Sequence, residues 1–392
     1  MKEFIEGSHA VAEIVKRCRP GVISAYPITP QTHIVEDLAS MIANKELNAQ
    51  FVNVESEHSA ASVVLGAEAT GVRSYTATSS QGLLLMAEVV FNIAGLRLPV
   101  VMTTANRAVS APINIWNDQQ DVMAVRDSGW VLLFAESNQE TVDLHLQAYK
   151  IAEDPRVMLP VMVNMDGFIL THGMEVVDMP SQEEVDKFLP PYQTTYKLDV
   201  DNPLTMGFLA DPDYYLEIRY TVQETHRELL EIIPEVANEF KKTFKREGGG
   251  LIEGYRLEDA KQVFVALGSV CGTIRDVIDD LRNKGEKVGL LKIITYRPFP
   301  KASLVTALAK AKEVAVVDKS ISLGAFGPLY TDISAALSSI GSKMPKVSGF
   351  VLGLGGRDIT KKSILDVYER LSQKQVDCEF IGLKQELLAE TE

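Results

Sequence analysis

Short runs of apolar, often β-branched residues alternate with stretches whose apolar positions fall three and four apart through the first 165 residues. Val22–Ala25, Phe51–Val54, Ser74–Thr78, Pro99–Thr103, Val131–Ala135 and Pro160–Asn164 read as strands. The helical stretches between them begin near Thr32, Glu57, Ser80 and Gln139, and Thr32 is placed to cap the first. Alternation of this kind predicts a mostly parallel, doubly wound α/β sheet, in which ligands gather beyond the carboxyl ends of the strands. The longest apolar stretch, 82–102, is interrupted by Glu88, Asn92 and Arg97. It therefore reads as a buried helix followed by a strand, since a membrane span tolerates such groups poorly.

The rhythm fails over 176–209, where Pro180, Pro190, Pro191 and Pro203 predict an extended connector. From about Thr221 to Glu247 the spacing is helical, with Leu229, Ile232, Ile233, Val236, Phe240 and Phe244 on one face. Pro234 is expected to kink this helix, and Gly248-Gly249-Gly250 to end it. Strands then recur at Val263–Leu267, Val288–Thr295, Val314–Asp318 and Val347–Leu352, which predicts a second, smaller α/β domain. The expected organisation is an α/β domain over 1–175, a connector with an amphipathic helix over 176–255, and the second domain over 256–392.

Composition narrows the partners. Asp and Glu number 53 against 39 Lys and Arg, a formal net charge of -14. That is the wrong sign for nucleic acid or an anionic membrane as main partner. Cys18, Cys271 and Cys378 are too far apart in sequence for an iron–sulfur or zinc motif. With no signal-peptide pattern, they are expected as reduced thiols in a cytoplasmic protein.

Candidate chemistry collects where strands end. The two prolines of Tyr26–Pro30 stop the first strand, and Thr29 either stiffens that turn or offers its hydroxyl to a ligand. Glu57 opens a helix, either as an electrostatic complement to the first-turn N–H groups or as a carboxylate aimed at a ligand nitrogen. His58 beside it could be a base or a structural residue. Thr78-Ser79-Ser80-Gln81-Gly82 enters a helix with neither a G-x-G-x-x-G pattern nor a Walker lysine, which favours contact with a flat ring over a phosphate. Arg107, just past a strand, is either a surface residue or a fork for a carboxylate. The polar, aromatic stretch from Ser110 to Arg126 lacks periodicity, and ordered loops of that length tend to carry function. Gly353-Leu-Gly355-Gly356 follows a strand and reads as a turn before the last helix.

Several segments occur in one order along nearly the whole chain: Tyr26-Pro-Ile-Thr-Pro30, Val54-Glu-Ser-Glu-His-Ser59, Thr76-Ala-Thr-Ser-Ser-Gln-Gly-Leu83, Asn106-Arg-Ala108, Ser110-Ala-Pro-Ile-Asn-Ile-Trp-Asn-Asp118, Arg126-Asp-Ser-Gly129, Tyr296-Arg-Pro-Phe-Pro300 and Leu354-Gly-Gly-Arg-Asp358. Jointly they resemble the α subunit of the 2-oxoacid:ferredoxin oxidoreductases, most closely the multi-subunit pyruvate branch. The resemblance implies a thiamine diphosphate pyrimidine-binding-type domain followed by a transketolase-C-terminal-like domain. It implies oxidative cleavage of a 2-oxoacid with coenzyme A and transfer of two electrons to ferredoxin. By motif match, Glu57 would face the pyrimidine N1′, Ser80 and Gln81 would line the cofactor, and Arg107 and Thr29 would bind the substrate.

Absences matter as much. No Gly-Asp-Gly occurs, Met165-Asp166-Gly167 being nearest, so no metal site is expected in this chain. The resemblance then implies a β subunit carrying the diphosphate, Mg²⁺ and a [4Fe–4S] cluster, with γ and δ subunits and ferredoxin beyond it. One arginine and one hydroxyl suit pyruvate. A dianion would need another cation, and no Arg or Lys lies between Tyr26 and Lys45; His33 is the one candidate. The alternatives are a branched-chain 2-oxoacid, 2-oxoglutarate, or a non-catalytic scaffold that kept the fold.

Overall fold

The computed structural model describes residues 2–341 and 344–388. Two compact units form. One holds the residues up to Leu251 together with Ile294–Pro300, and the other holds Ile252–Ile293 and the residues from Lys301 onward.

The first unit begins with β1 (Lys2–Glu6), α1 (Gly7–Cys18), β2 (Val22–Ile23), α2 (Thr32–Ala43), β3 (Gln50–Phe51), α3 (Glu57–Ala69), β4 (Ser74–Thr78), α4 (Ser80–Leu85), α5 (Ala87–Gly95) and β5 (Val101–Asn106). It continues through α6 (Gln120–Ala124), β6 (Val131–Phe134), α7 (Asn138–Ala152), β7 (Val161–Asp166), β8 (Met174–Asp178), α8 (Gln182–Phe188) and α9 (Tyr215–Phe244). In the second unit lie β9 (Ile252–Tyr255), β10 (Gln262–Ala266), α10 (Val270–Asn283) and β11 (Val288–Ile293). The chain then returns to the first unit as β12 (Thr295–Arg297), and the second resumes with α11 (Lys301–Leu308), β13 (Glu313–Asp318), α12 (Pro328–Ser338), β14 (Lys346–Val351), α13 (Lys361–Leu371) and β15 (Glu379–Phe380).

The main sheet has the order β12-β6-β7-β5-β4-β2-β3. Every pairing is parallel except that of β12 with β6. This is the doubly wound α/β arrangement that the alternation predicts. Every residue of β4, β5, β6 and β7 is buried, which is why these strands read as runs rather than as alternating patterns. The chain steps outward from β2 to β3, then back past β2 to β4. Right-handed crossovers put such successive connections on opposite faces, and sheets of this kind bind ligands at the carboxyl ends of the strands where the order reverses, here β2 and β4.

Three local expectations change. The stretch expected to be an extended connector contains part of β8, which pairs antiparallel with β1, and α8, which a Ser181–Glu184 capping box starts. Thr32 is not the cap of α2. Gln31 holds that position, without a side-chain cap bond, because its N–H bonds Ile28 O and a turn feeds directly into the helix. Tyr296 does not end a strand of the second domain. Residues 294–300 cross to the main sheet, where Phe134 N–H donates to Ile294 O at 2.8 Å and Tyr296 is fully buried edge-on to Phe134 and Phe299. The amphipathic helix α9 begins at Tyr215, ahead of the expected Thr221, and ends at Phe244, short of the glycines; its six named apolar residues are buried, and Pro234 lies inside it without ending it.

The second unit is a six-stranded sheet of order β15-β14-β13-β10-β11-β9, parallel except for β9. Its core packs α10 and α13 over Phe264, Leu290, Val317 and Phe350. Gly353, Gly355 and Gly356 all take positive φ in a short turn, as their spacing after a strand implies. Among the described residues, no helix is long and apolar enough to cross a membrane.

Candidate active site

Four strand ends adjacent in the sheet, β3, β2, β4 and β5, deliver the candidate residues side by side. Glu57 follows β3, Thr29 follows β2, Ser80 and Gln81 follow β4, and Arg107 follows β5.

Glu57 is positioned by a helix start. Ser56 caps α3 by accepting the Ser59 N–H at 3.2 Å, which fixes Glu57 in the first turn, 7% exposed. Its carboxylate lies against α4 at the one place where α4 has no side chain. A Cβ built on Gly82 would come within 2.7 Å of Glu57 Oε1 and 2.5 Å of Thr78 Oγ1. Thr78 Oγ1, which shares the Gly82 face with this carboxylate, and Gln81 Nε2 are buried and without a partner among the described residues. A buried acid with unpartnered polar atoms of Thr78 and Gln81 at the same strand ends fits a heteroaromatic ring offering nitrogen, such as an aminopyrimidine. His58, one residue on, is half-buried.

Arg107 is 5% exposed. Its Nη1 donates to Thr29 O at 2.8 Å and its Nε to Asn114 O at 2.9 Å. Nη2 has no bond to the described residues, so one guanidinium nitrogen remains for a ligand anion. Burial lowers its pKa from the ordinary value, and the Asp121 carboxylate opposes that. Thr29 itself is exposed at the turn, with its carbonyl held by Arg107.

Several residues that carry the geometry have no signature in sequence. Asp121 is fully buried, and its Oδ2 accepts the Ser80 N–H and the Arg107 N–H, both at 3.0 Å. Its Oδ1 accepts Asn106 Nδ2 at 3.1 Å and its neighbour Val122 N–H at 2.8 Å. Burial pushes its carboxyl up to about 7, against these four donors. Gln31 is also fully buried and donates to Ala77 O at 2.6 Å, tying the Tyr26–Pro30 turn to β4. Asp166, from the nearest approach to a Gly-Asp-Gly motif, instead accepts Asn117 Nδ2 and Gln119 Nε2 at 3.2 Å and anchors the 110–126 loop. The only hint of Asp121 in the sequence is its place in that polar loop. His33 faces away from this role: its Nδ1 lies 2.7 Å from Glu6 Oε1, and that hydrogen bond raises its pKa.

Comparison with known proteins identifies the family. The family described as "Pyruvate flavodoxin/ferredoxin oxidoreductase, thiamine diP-bdg" matches residues 13–238, and "Pyruvate:ferredoxin oxidoreductase core domain II" matches 260–364. "Pyruvate synthase subunit PorA" of Methanothermobacter thermautotrophicus is 52% identical over 384 residues, 98% of this chain and 99% of that protein. The protein of the same name from Thermotoga maritima is 47% identical, over 93% of each chain. "Ketoisovalerate oxidoreductase subunit VorA" of Pyrococcus horikoshii is 43% identical, over 95% of this chain and 94% of its own. A solved 2-oxoglutarate:ferredoxin oxidoreductase from Magnetococcus marinus, with 2-oxoglutarate, coenzyme A and succinyl-CoA bound, superposes with a TM-score of 0.73. At 20% identity, covering 95% of this chain and 65% of that one, it shares the fold.

Proposed function

The chain belongs to the pyruvate:ferredoxin oxidoreductase family, and from that premise we propose that it is the α subunit of a thiamine-diphosphate-dependent enzyme oxidising pyruvate. The balanced reaction takes pyruvate, coenzyme A and two oxidised ferredoxins to acetyl-CoA, CO₂, two reduced ferredoxins and a proton. It runs in either direction according to potential. The observation that carries this reading is the buried Glu57 carboxylate packed with the unpartnered Thr78 Oγ1 against Gly82, at the strand end that also supplies the unpartnered Gln81 Nε2.

Thiamine diphosphate supplies, when bound, the electron sink that a 2-oxoacid needs to lose CO₂. In this reading Glu57 holds a proton on the ring nitrogen that faces it, which a carboxylate does best where water is excluded. Ser80 and Gln81 line the ring. Arg107 forks the substrate carboxylate through its remaining nitrogen, and the Thr29 hydroxyl orients the substrate without adding charge. With Arg107 the single cation of these loops, a monocarboxylate is favoured over 2-oxoglutarate. The relatives named pyruvate synthase, at 47–52% identity, favour pyruvate over the branched-chain acids of the 43% relative.

Partner subunits complete the site in this proposal. A β subunit carries the diphosphate, Mg²⁺ and a [4Fe–4S] cluster, and γ and δ subunits pass electrons to ferredoxin. The exposed Ile113 and Trp116, at 79% and 53%, suit a loop that a partner covers. The test is purification with the native partners and pyruvate-dependent dye reduction in the presence of coenzyme A. A higher kcat/KM for 2-oxoisovalerate or 2-oxoglutarate than for pyruvate refutes the substrate, and no reduction with any 2-oxoacid refutes the function.

A further inference from the structure

We propose that Asp121 is the positioning residue of this site, a carboxylate that clamps the cofactor-side loop at Ser80 to the substrate-side loop at Arg107. The assignment of sides rests on the proposed function; the clamp rests on geometry alone.

Its bonds go to the candidate residues themselves. One oxygen, Oδ2, receives the main-chain N–H of Ser80 after β4 and of Arg107 after β5, each at 3.0 Å. These loops leave neighbouring parallel strands whose paired residues end at Thr78 and Thr104, so beyond that point side chains hold the two together. Ser80 has further need of a fixed partner. Its φ is 49°, a left-handed conformation that an L residue holds only when its surroundings insist. Its hydroxyl also donates to Ala108 O, one residue beyond Arg107, and the Ser79 hydroxyl donates to Ala105 O at 2.7 Å, so side chains of the first loop reach the second at two points besides Asp121. Anchoring the Arg107 main chain sets the origin from which its guanidinium reaches Thr29 O.

Four donors aimed at the two oxygens favour the ionised carboxylate, which burial opposes. The four donors converge two on each oxygen. An amide of the same shape turns one oxygen into a donor, so it must surrender either the two loop N–H groups or the Asn106 and Val122 pair. Asp121 is fully buried, so bulk solvent does not reach the donors it would release.

The experiment uses Asp121→Asn in the complex with its native partner subunits. Three quantities are read: the pyruvate KM, the thiamine diphosphate concentration for half-maximal activity, and amide hydrogen exchange. The expected result is a rise of about tenfold or more in both constants, with kcat changed less, because a small misplacement of a binding group is costly. Exchange should quicken at the Ser80 and Arg107 amides while β4 and β5 stay protected. Both constants within about twofold of wild type overturn the proposal even if the variant melts earlier, since a merely structural role lowers stability without moving them. Should Asp121→Asn fail to assemble, Asn106→Ala, which removes one donor to Oδ1, must raise both constants by about twofold or more; unchanged constants overturn the proposal. Exchange needs no turnover. A wild-type complex that leaves pyruvate unoxidised refutes the proposed function, whereas unchanged exchange in Asp121→Asn refutes the clamp.

Discussion

Replacing Gly82 by alanine tests whether the Glu57 carboxylate must lie where it does. Gly82 sits inside α4 with ordinary helical φ, so the backbone accepts alanine, and helix propensity favours the change by about 1 kcal/mol. The new methyl carbon would lie 2.5 Å from Thr78 Oγ1, 2.7 Å from Glu57 Oε1 and 2.9 Å from Glu57 Cγ. Non-bonded contacts settle near about 3.5 Å, so the Thr78 hydroxyl must give by roughly 1 Å and the glutamate by roughly 0.8 Å. The tip of a flexible side chain yields cheaply, and overpacking of this kind costs about 1–3 kcal/mol. Stability therefore changes little, by between about 0 and 2 kcal/mol once propensity offsets crowding. Activity has no such offset, because a misplacement near 1 Å costs on the order of 10²-fold. The measurements are kcat for pyruvate-dependent dye reduction by the complex and the denaturant midpoint of the variant chain. A folded Gly82→Ala variant with kcat within about threefold of wild type would refute the reasoning, since the carboxylate would then work from a displaced position.

Glu57→Gln should leave assembly intact and slow exchange of the cofactor's reactive C–H by about 10² to 10⁴-fold, read by NMR on quenched samples. Arg107→Ala should raise the KM of pyruvate and of 2-oxobutyrate alike by roughly 10 to 100-fold, the worth of one charge-assisted bond, and a rise for only one of them would count against a shared carboxylate contact. Glu68 is fully buried, and burial raises its carboxyl from 4.5 to about 8. The folded chain therefore keeps a proton that the unfolded chain loses, and Glu68 progressively lowers stability as pH rises from 4.5 through 8. Glu68→Gln retains an acceptor for the Ser74 N–H, so its stability should match wild type near pH 4 and exceed it by on the order of 3 kcal/mol near pH 8 in urea unfolding; a constant difference across pH would contradict the burial argument.

What the sequence discloses here is set by how local each signal is. The strands of the main sheet are legible because burial on both faces demands consecutive apolar residues, and α9 because its buried residues repeat along one face. β1 leaves no such trace: only Ile5 of its five residues is buried, and its partner β8 lies more than 160 residues away. β12 is hidden for the same reason, since Tyr296-Arg297-Pro298 announces an ending and nothing local says which sheet receives it. Glu57 and Arg107 stand out by residue type at strand ends. Asp121 does not, because three of its four bonds go to main-chain N–H groups, which every residue but proline carries.

The same aspartate explains a division of labour that the missing Gly-Asp-Gly motif only hints at. The loop from β4 into α4 has the small residues and left-handed turn of an anion cradle. In this chain the cradle is already filled, because the Ser80 N–H points to the Asp121 carboxylate. A diphosphate brought to this loop would have to displace an internal anion, and it would meet the nearby Glu57 carboxylate as well. Two carboxylates repel phosphate oxygens while favouring ring nitrogens that carry or share protons. The site is thus charged for the nitrogenous half of a cofactor and against its phosphorylated half. Under the proposed function, the diphosphate and its metal belong on a surface contributed by another subunit for electrostatic reasons. Restoring a phosphate-binding motif to this chain would therefore not suffice while Asp121 occupies the cradle.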